Sequence, residues 1–152
     1  MPVNPAFVGR TYRSAASHQV EREELREFAA ATGLTEATSP ACFDPTAAQA
    51  VGYPDVVAAP TFAVVIAQRA EAEYIRDPAA GIDFTRVVHA AESFVHHRPI
   101  TAADRVSTEL TVVAVAERRG IATVTTKVDL SDAAGQPLAT VTSTLAVRGE
   151  AA

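Results

Sequence analysis

The sequence predicts an α+β fold in which an antiparallel sheet wraps a central apolar helix. Three observations carry that expectation. The stretch from Phe62 to Ala67 is apolar on every side, as expected of a helix buried all round. Four later segments, 87–96, 105–116, 121–131 and 138–147, are rich in Val and Thr and punctuated by Gly, the signature of strands. Within 121–130, Ala122, Val124, Thr126, Val128 and Leu130 alternate with Thr123, Thr125, Lys127 and Asp129, a half-buried antiparallel pattern. One buried helix followed by a run of such strands makes a two-layer α+β domain.

The elements follow in chain order. Arg10 to Val20 is a candidate early strand. Val20 to Thr32 puts Leu25, Phe28, Ala29 and Thr32 on one helical face, and Gly33 suits the position just past a helix end. Asp44-Pro45 reads as N-cap then first helical residue of a short helix that Gly52 stops. Pro60-Thr61 opens the central helix, which becomes mixed from Gln68 to Arg76 and ends at Asp77-Pro78. Arg119-Gly120 and Ala134-Gly135 separate the last three strands.

With 152 residues the chain fits one domain, ordered from about 8 to 147, that buries about 70% of its unfolded surface without disulfide or metal. The hydrophobic fraction of 48% and charged fraction of 20% are those of a globular chain. Thirteen Lys and Arg against eighteen Asp and Glu leave a net charge of −5 with no basic block, which disfavours nucleic acid as a partner. No apolar run reaches the 18 or so residues of a membrane span. Met1-Pro2-Val3-Asn4 lacks the pattern of a signal peptide, so a soluble cytoplasmic protein is expected. The single cysteine, Cys42, permits no internal disulfide, and no histidine spacing suggests a metal site; neither metal nor cofactor is expected.

Three segments together resemble the MaoC-like (R)-specific enoyl hydratases and dehydratases, a hot-dog-fold family. They are Glu36 to Tyr53, with its Asp44-Pro45 and Gly52-Tyr53; Val56 to Phe62, leading into the apolar helix; and Phe94-Val95-His96-His97-Arg98-Pro99-Ile100 with Ala103-Asp104, similar to the family's aromatic–His–Arg–Pro turn and Gly-Asp element. The likeness runs from about Val8 to Val147. It is nearest to the N-terminal-type subfamily that includes small actinobacterial subunits of heterodimeric (3R)-hydroxyacyl-ACP dehydratases.

The resemblance also marks departures. Catalytic members carry Asp-x-Asn-Pro-x-His-x-Asp-Pro on an overhanging loop, where the carboxylate and imidazole act as general acid and base. Here the same frame reads Ala37-Thr38-Ser39-Pro40-Ala41-Cys42-Phe43-Asp44-Pro45, with Ala37 at the Asp position and Cys42 at the His position. The family's His-Gly, whose glycine N–H stabilises the thioester oxygen, aligns with Ala59-Pro60, and proline has no N–H to give. The resemblance therefore implies no catalytic residue in this chain. It implies an acyl-thioester site lined by Ser39, Cys42, Tyr53, Val57, Thr61, Phe62 and Val65.

Structural roles compete for several of these residues. Cys42 reads as a small hydrophobe, Ser39 as a turn residue and Asp44 as a helix cap. Of His96 and His97, one is expected to face out and one to pack or bond backbone. His18 and His89 look isolated. Two functions from different classes follow. In the first, the chain shapes the acyl tunnel of a dehydratase or hydratase acting on acyl-ACP or acyl-CoA, and a MaoC-like partner subunit supplies the acid/base pair. In the second, it is a non-enzymatic acyl-thioester or lipid-binding homodimer. A thioesterase ranks below both: Glu71 and Glu73 fall late on the helix, past the reacting centre, which leaves only Asp55. Either assembly is a dimer, because a hot-dog sheet leaves strand edges to be covered.

Overall fold

The computed structural model describes residues 2–149. Its elements are β1 (Thr11–Arg13), β2 (His18–Gln19), α1 (Arg22–Ala31), α2 (Pro45–Ala50), α3 (Ala63–Arg76), β3 (Val87–His96), β4 (Arg105–Arg118), β5 (Ile121–Ser131) and β6 (Pro137–Arg148). The strands form one antiparallel sheet in the order β1-β4-β5-β6-β3, and β2 also pairs with β4. The early strand is therefore two short pieces rather than one, because residues 14–17 bend away between them.

Alternation decides which way the sheet faces. Ala122, Val124, Thr126, Val128 and Leu130 of β5 all point inward, as do Leu138, Val141, Ser143, Leu145 and Val147 along β6. Register shifts in β3 (His89/Ala91) and β4 (Val112/Ala114) add local twist, and such bulges help a sheet to curl. α3 lies in the curl and contacts β1, β4, β5 and β6. Ala63, Ile66, Ala67 and Tyr74 bury one stripe of it, with Phe62 just before it, in the cluster that holds Leu110, Val112, Val124 and Val128. The large side chains among them contribute about 1.5–3 kcal/mol each on burial.

α3 departs from expectation in two ways. It begins at Ala63, three residues beyond Pro60, because 59–62 form a turn in which the Phe62 N–H donates to the Ala59 carbonyl at 2.9 Å. It is also not buried all round, since Val64 and Val65 remain half-buried. Its end is as expected: Asp77 takes an extended conformation (ψ 113°), which Pro78 requires of its predecessor.

α1 starts with a reciprocal box between Glu21 and Glu24. It closes through the Leu34 and Gly33 N–H groups on the Ala29 and Ala30 carbonyls, and Gly33 takes φ +88°. Leu25 and Ala29 are buried, but Thr32 is exposed and spends its hydroxyl on the Phe28 and Ala29 carbonyls, so it is a helix-end residue and not part of the apolar face. Phe28 meets Phe62 edge-on at 5.5 Å and ties α1 to the central helix. Asp44 caps α2, accepting from the Thr46 and Ala47 N–H groups at 3.1 and 3.2 Å.

β3 is the longer of the two end strands of the sheet. It bonds only to β6, and its Val88 and Val95 are 65% and 57% exposed. No helix among the described residues is long and apolar enough to cross a membrane.

Candidate functional site

The site forms where the β3 end meets the approach to α3. The stretch Val56–Ala59 runs beside Ile100–Ala102: the Ala58 N–H donates to the Ile100 carbonyl at 2.8 Å, and the Ala102 N–H to the Val56 carbonyl at 2.9 Å. Between them and the His96-His97-Arg98-Pro99 turn lies a largely apolar cleft of about 380 Å³. Val57, Ala59, Pro60 and Ala63 form one wall, and His96 and His97 the other.

The turn is held by an ion-paired cluster. Both terminal nitrogens of Arg98 donate to Asp104, Nη2 to Oδ1 at 2.8 Å and Nη1 to Oδ2 at 2.9 Å. Nη2 also reaches Asp132, in the β5–β6 turn, at 3.3 Å. The Thr101 N–H donates to Asp104 at 2.9 Å. Burial pushes the Asp104 carboxyl up, but the Arg98 hydrogen bonds, the Thr101 N–H and the guanidinium charge outweigh it and hold the group below the usual carboxylate range. Ala103 sits at φ +72° to let the chain turn into this cluster, a conformation that favours glycine. That is the position matched to the family's Gly-Asp element.

Both histidines of the turn are exposed, so of the two roles expected for the second one, packing or bonding backbone, only the bond is found. It runs from the His97 N–H to the Leu138 carbonyl at 2.8 Å. The His96 ring lies parallel to Phe94, 6.0 Å between centroids. Strand alternation alone gave no reason to place two imidazoles beside Pro60. The contact comes from the antiparallel bridge between Val57 and Thr101.

Of the residues named from the sequence, Val57 and Pro60 line this cleft. Ala37 is exposed. Cys42 is half-buried at the end of a one-turn helix, and burial pushes its thiol up, away from the reactive thiolate. The loop is stitched to the cleft through the Val57 N–H, which donates to the Ala41 carbonyl at 2.9 Å. Ser39 and Tyr53 are half-buried, Thr61 is exposed, and Val65 is half-buried on α3. Phe62 is buried in the core.

The acidic candidates resolve differently. Asp55 forms a two-pronged ion pair with Arg22, both contacts 2.9 Å, and also accepts the Val56 N–H. The Arg22 hydrogen bond holds its carboxyl below the usual range. Glu71 is buried at 2% exposure and accepts the Thr126 hydroxyl at 2.6 Å, so it faces the sheet. His18 and His89, which looked isolated in sequence, each hold a carboxylate: His18 meets Glu24 at 2.8 Å, and His89 pairs with Glu92.

A curled antiparallel sheet around a central helix, with an apolar cleft at the helix start, defines a hot-dog protein of the MaoC-like hydratase/dehydratase class. More particularly, the chain belongs to the FAS1-like dehydratase-domain family, whose model matches residues 6–141. It is 42% identical over 151 residues to a UPF0336 protein of Saccharopolyspora erythraea, covering 99% of this chain and 95% of that one. It is similar to a chain of the C-terminally truncated HadBC (3R-hydroxyacyl-ACP dehydratase) complex from Mycobacterium tuberculosis, with a TM-score of 0.81, 28% identity, and coverage of 92% of this chain and 96% of that one. A MaoC-like dehydratase matches with a TM-score of 0.84 and 26% identity over 95% of this chain and 43% of its own.

Proposed function

We propose that this chain is the non-catalytic, substrate-shaping subunit of a dehydratase acting on (3R)-3-hydroxyacyl thioesters of acyl carrier protein or coenzyme A. A MaoC-like partner supplies the acid and base. Its carboxylate and imidazole remove the α-proton and protonate the β-hydroxyl, which leaves as water as the trans-2 double bond forms; the reverse reaction hydrates the enoyl thioester. The observation that carries the reading is the loop and helix start: alanine at 37, cysteine at 42 and proline at 60 stand at the three matched positions where the family's chemistry needs a carboxylate, an imidazole and an N–H donor. Two further features support it. The β3 edge is open and presents Val88 and Val95 to a partner strand. The similar HadBC structure is itself a two-subunit dehydratase complex.

The test is hydration of crotonyl-CoA by the isolated chain and by the chain co-purified with its native partner. The isolated chain is expected to be inactive, and the complex active only while the partner's Asp and His are intact. Activity of the isolated chain that survives Cys42→Ala overturns the reading. Repair adds a second arm. Ala37→Asp with Cys42→His restores the acid/base types but not the oxyanion donor, whose removal typically costs about 10²–10³ in rate. The double variant should stay close to inactive and improve when Pro60→Gly is added. A double variant as active as the triple shows that Pro60 does not occupy the donor's place.

A further inference from the structure

A second cavity, of about 330 Å³, lies on the same helix but against the other border of the sheet. The bend between β1 and β2 (Ser14 to Ser17) walls it on one side, and β4, through Val106 and Thr108, closes it behind. α3 supplies Ile66, Arg69, Ala70 and Glu73. From Ala63 in the first cleft to Arg69 is about 9 Å along the helix at ~1.5 Å per residue. β1 and β3 are opposite ends of the strand order, so this cavity is remote from the open β3 edge.

Its charge is unusual in how it is held. Arg69 Nη1 lies 2.7 Å from His18 Nδ1. A guanidinium can only donate, so Nδ1 must be the accepting nitrogen and the ring proton must sit on Nε2. Nε2 in turn lies 2.8 Å from Glu24 Oε1, an acceptor fixed at the start of α1 by the Glu21 N–H at 3.1 Å. The relay Arg69→His18→Glu24 thus has one consistent set of donors. It fixes the guanidinium at the cavity wall through the imidazole, with the Glu24 carboxylate on the far side of the ring. No carboxylate lies within 4.0 Å of Arg69 among the described ion pairs, although Glu73 lines the same cavity. Among the described residues, the other N–H groups of the fork have no protein partner.

The surrounding groups fit a small anion with an apolar stem. Ser14 Oγ accepts the Thr108 N–H at 3.0 Å, so its own hydroxyl proton is free to donate. Ser17 adds a second hydroxyl at the wall, and Ile66, Ala70 and Val106 make an apolar floor. A planar cation, two hydroxyls and an apolar floor are the donor set that binds an oxyanion group on a short chain.

We propose that this cavity is a second ligand site, for a small organic oxyanion whose phosphate or carboxylate head is anchored by Arg69. It goes beyond the reading above, and either can fail without the other. The test is titration of the full ¹⁵N-labelled chain with inorganic phosphate, propionate and sodium chloride, followed by amide shifts. Shifts at Ser14 to His18 and around Arg69 should saturate, with a Kd of roughly 1–10 mM for a single anchored group. Saturation by phosphate alone assigns a phosphate head, and saturation by propionate alone a carboxylate head. Arg69→Gln should weaken binding roughly tenfold to a hundredfold with an unchanged melting temperature. Arg69→Lys, which keeps the charge but not the fork, should fall between. Non-saturating shifts shared equally by chloride, or equal binding by Arg69→Gln, overturn the proposal.

Discussion

Asp104→Asn attacks the cluster that holds the His-Arg-Pro turn. Asp104 accepts four contacts: two from Arg98 at 2.8 and 2.9 Å, the Thr101 N–H at 2.9 Å and the Thr101 hydroxyl at 3.3 Å. Asparagine keeps one acceptor oxygen, and its NH₂ then faces donors. At least one charge-assisted bond is lost, and such a bond is worth about 1.5–3 kcal/mol. The side chain of Asp104 is only 13% exposed, so water does not replace it freely, whereas Arg98 at 39% keeps solvent and Asp132. The net expectation is a loss of about 2–4 kcal/mol, at the low end of what breaking a fully buried pair costs. At this chain length that is a fall of roughly 4–16 °C in melting temperature. The pH dependence gives an independent check. A carboxyl held below its ordinary value stabilises the fold above the unfolded value and stops doing so as the pH falls through the folded one. The gap between wild type and variant, measured by urea unfolding at fixed protein concentration, should be full at pH 7 and narrow below about pH 4. A variant within about 0.5 kcal/mol of wild type at pH 7, on the scale of an ordinary surface change, refutes the role given to the cluster.

Two further outcomes follow from single residues. Ala103→Gly should stabilise the chain by about 0.5–1 kcal/mol, because it relieves a left-handed alanine that costs about 1–2 kcal/mol while adding some unfolded-state freedom; a lower melting temperature would show that the Ala103 methyl makes a contact worth more than the strain. Burial raises the Glu92 carboxyl and the nearby Glu71 adds to it, against the Ser143 hydrogen bond and His89, so its charged form costs stability once the pH exceeds the raised value. Glu92→Gln should therefore melt higher than wild type at pH 7, and the two should converge below about pH 4, where an ordinary glutamate is protonated in both states; a variant that melts lower at pH 7 contradicts that sign.

The sheet was legible because its information is local. β3 and β5 occupy the expected ranges, and every inward residue of β5 was visible as a two-residue period. α3 was legible in its core stripe but not in its start, since Pro60-Thr61 looks like a helix opening and forms a turn instead. What stayed hidden depends on partners far apart in the chain. Arg69 and His18 are 51 residues apart, and Thr126 and Glu71 are 55 apart. A single sequence carries no signal for such pairs. The buried Glu71 looks in sequence as if it lies beyond the reacting centre, because its position along the helix is visible there and the strand it faces is not. Likewise the two imidazoles beside Pro60 require the bridge from Val57 to Thr101, which no periodicity announces.

The distribution of burial explains how this fold can stand whatever the loop residues carry. The positions that we propose to match the family's acid and base are Ala37, which is exposed, and Cys42, which is half-buried; neither belongs to the core cluster. The cleft walls are set elsewhere, by the backbone bonds between 56–58 and 100–102 and by the Arg98–Asp104 pair. A substitution at the exposed position 37 therefore costs little in stability, typically less than about 0.5 kcal/mol, and one at the half-buried position 42 leaves the core cluster untouched. A substitution at 104 changes stability and would carry the His96-His97 wall with it. Separating the frame from the reacting groups lets the proposed division of labour arise: one chain keeps the cleft, and its partner keeps the acid and base.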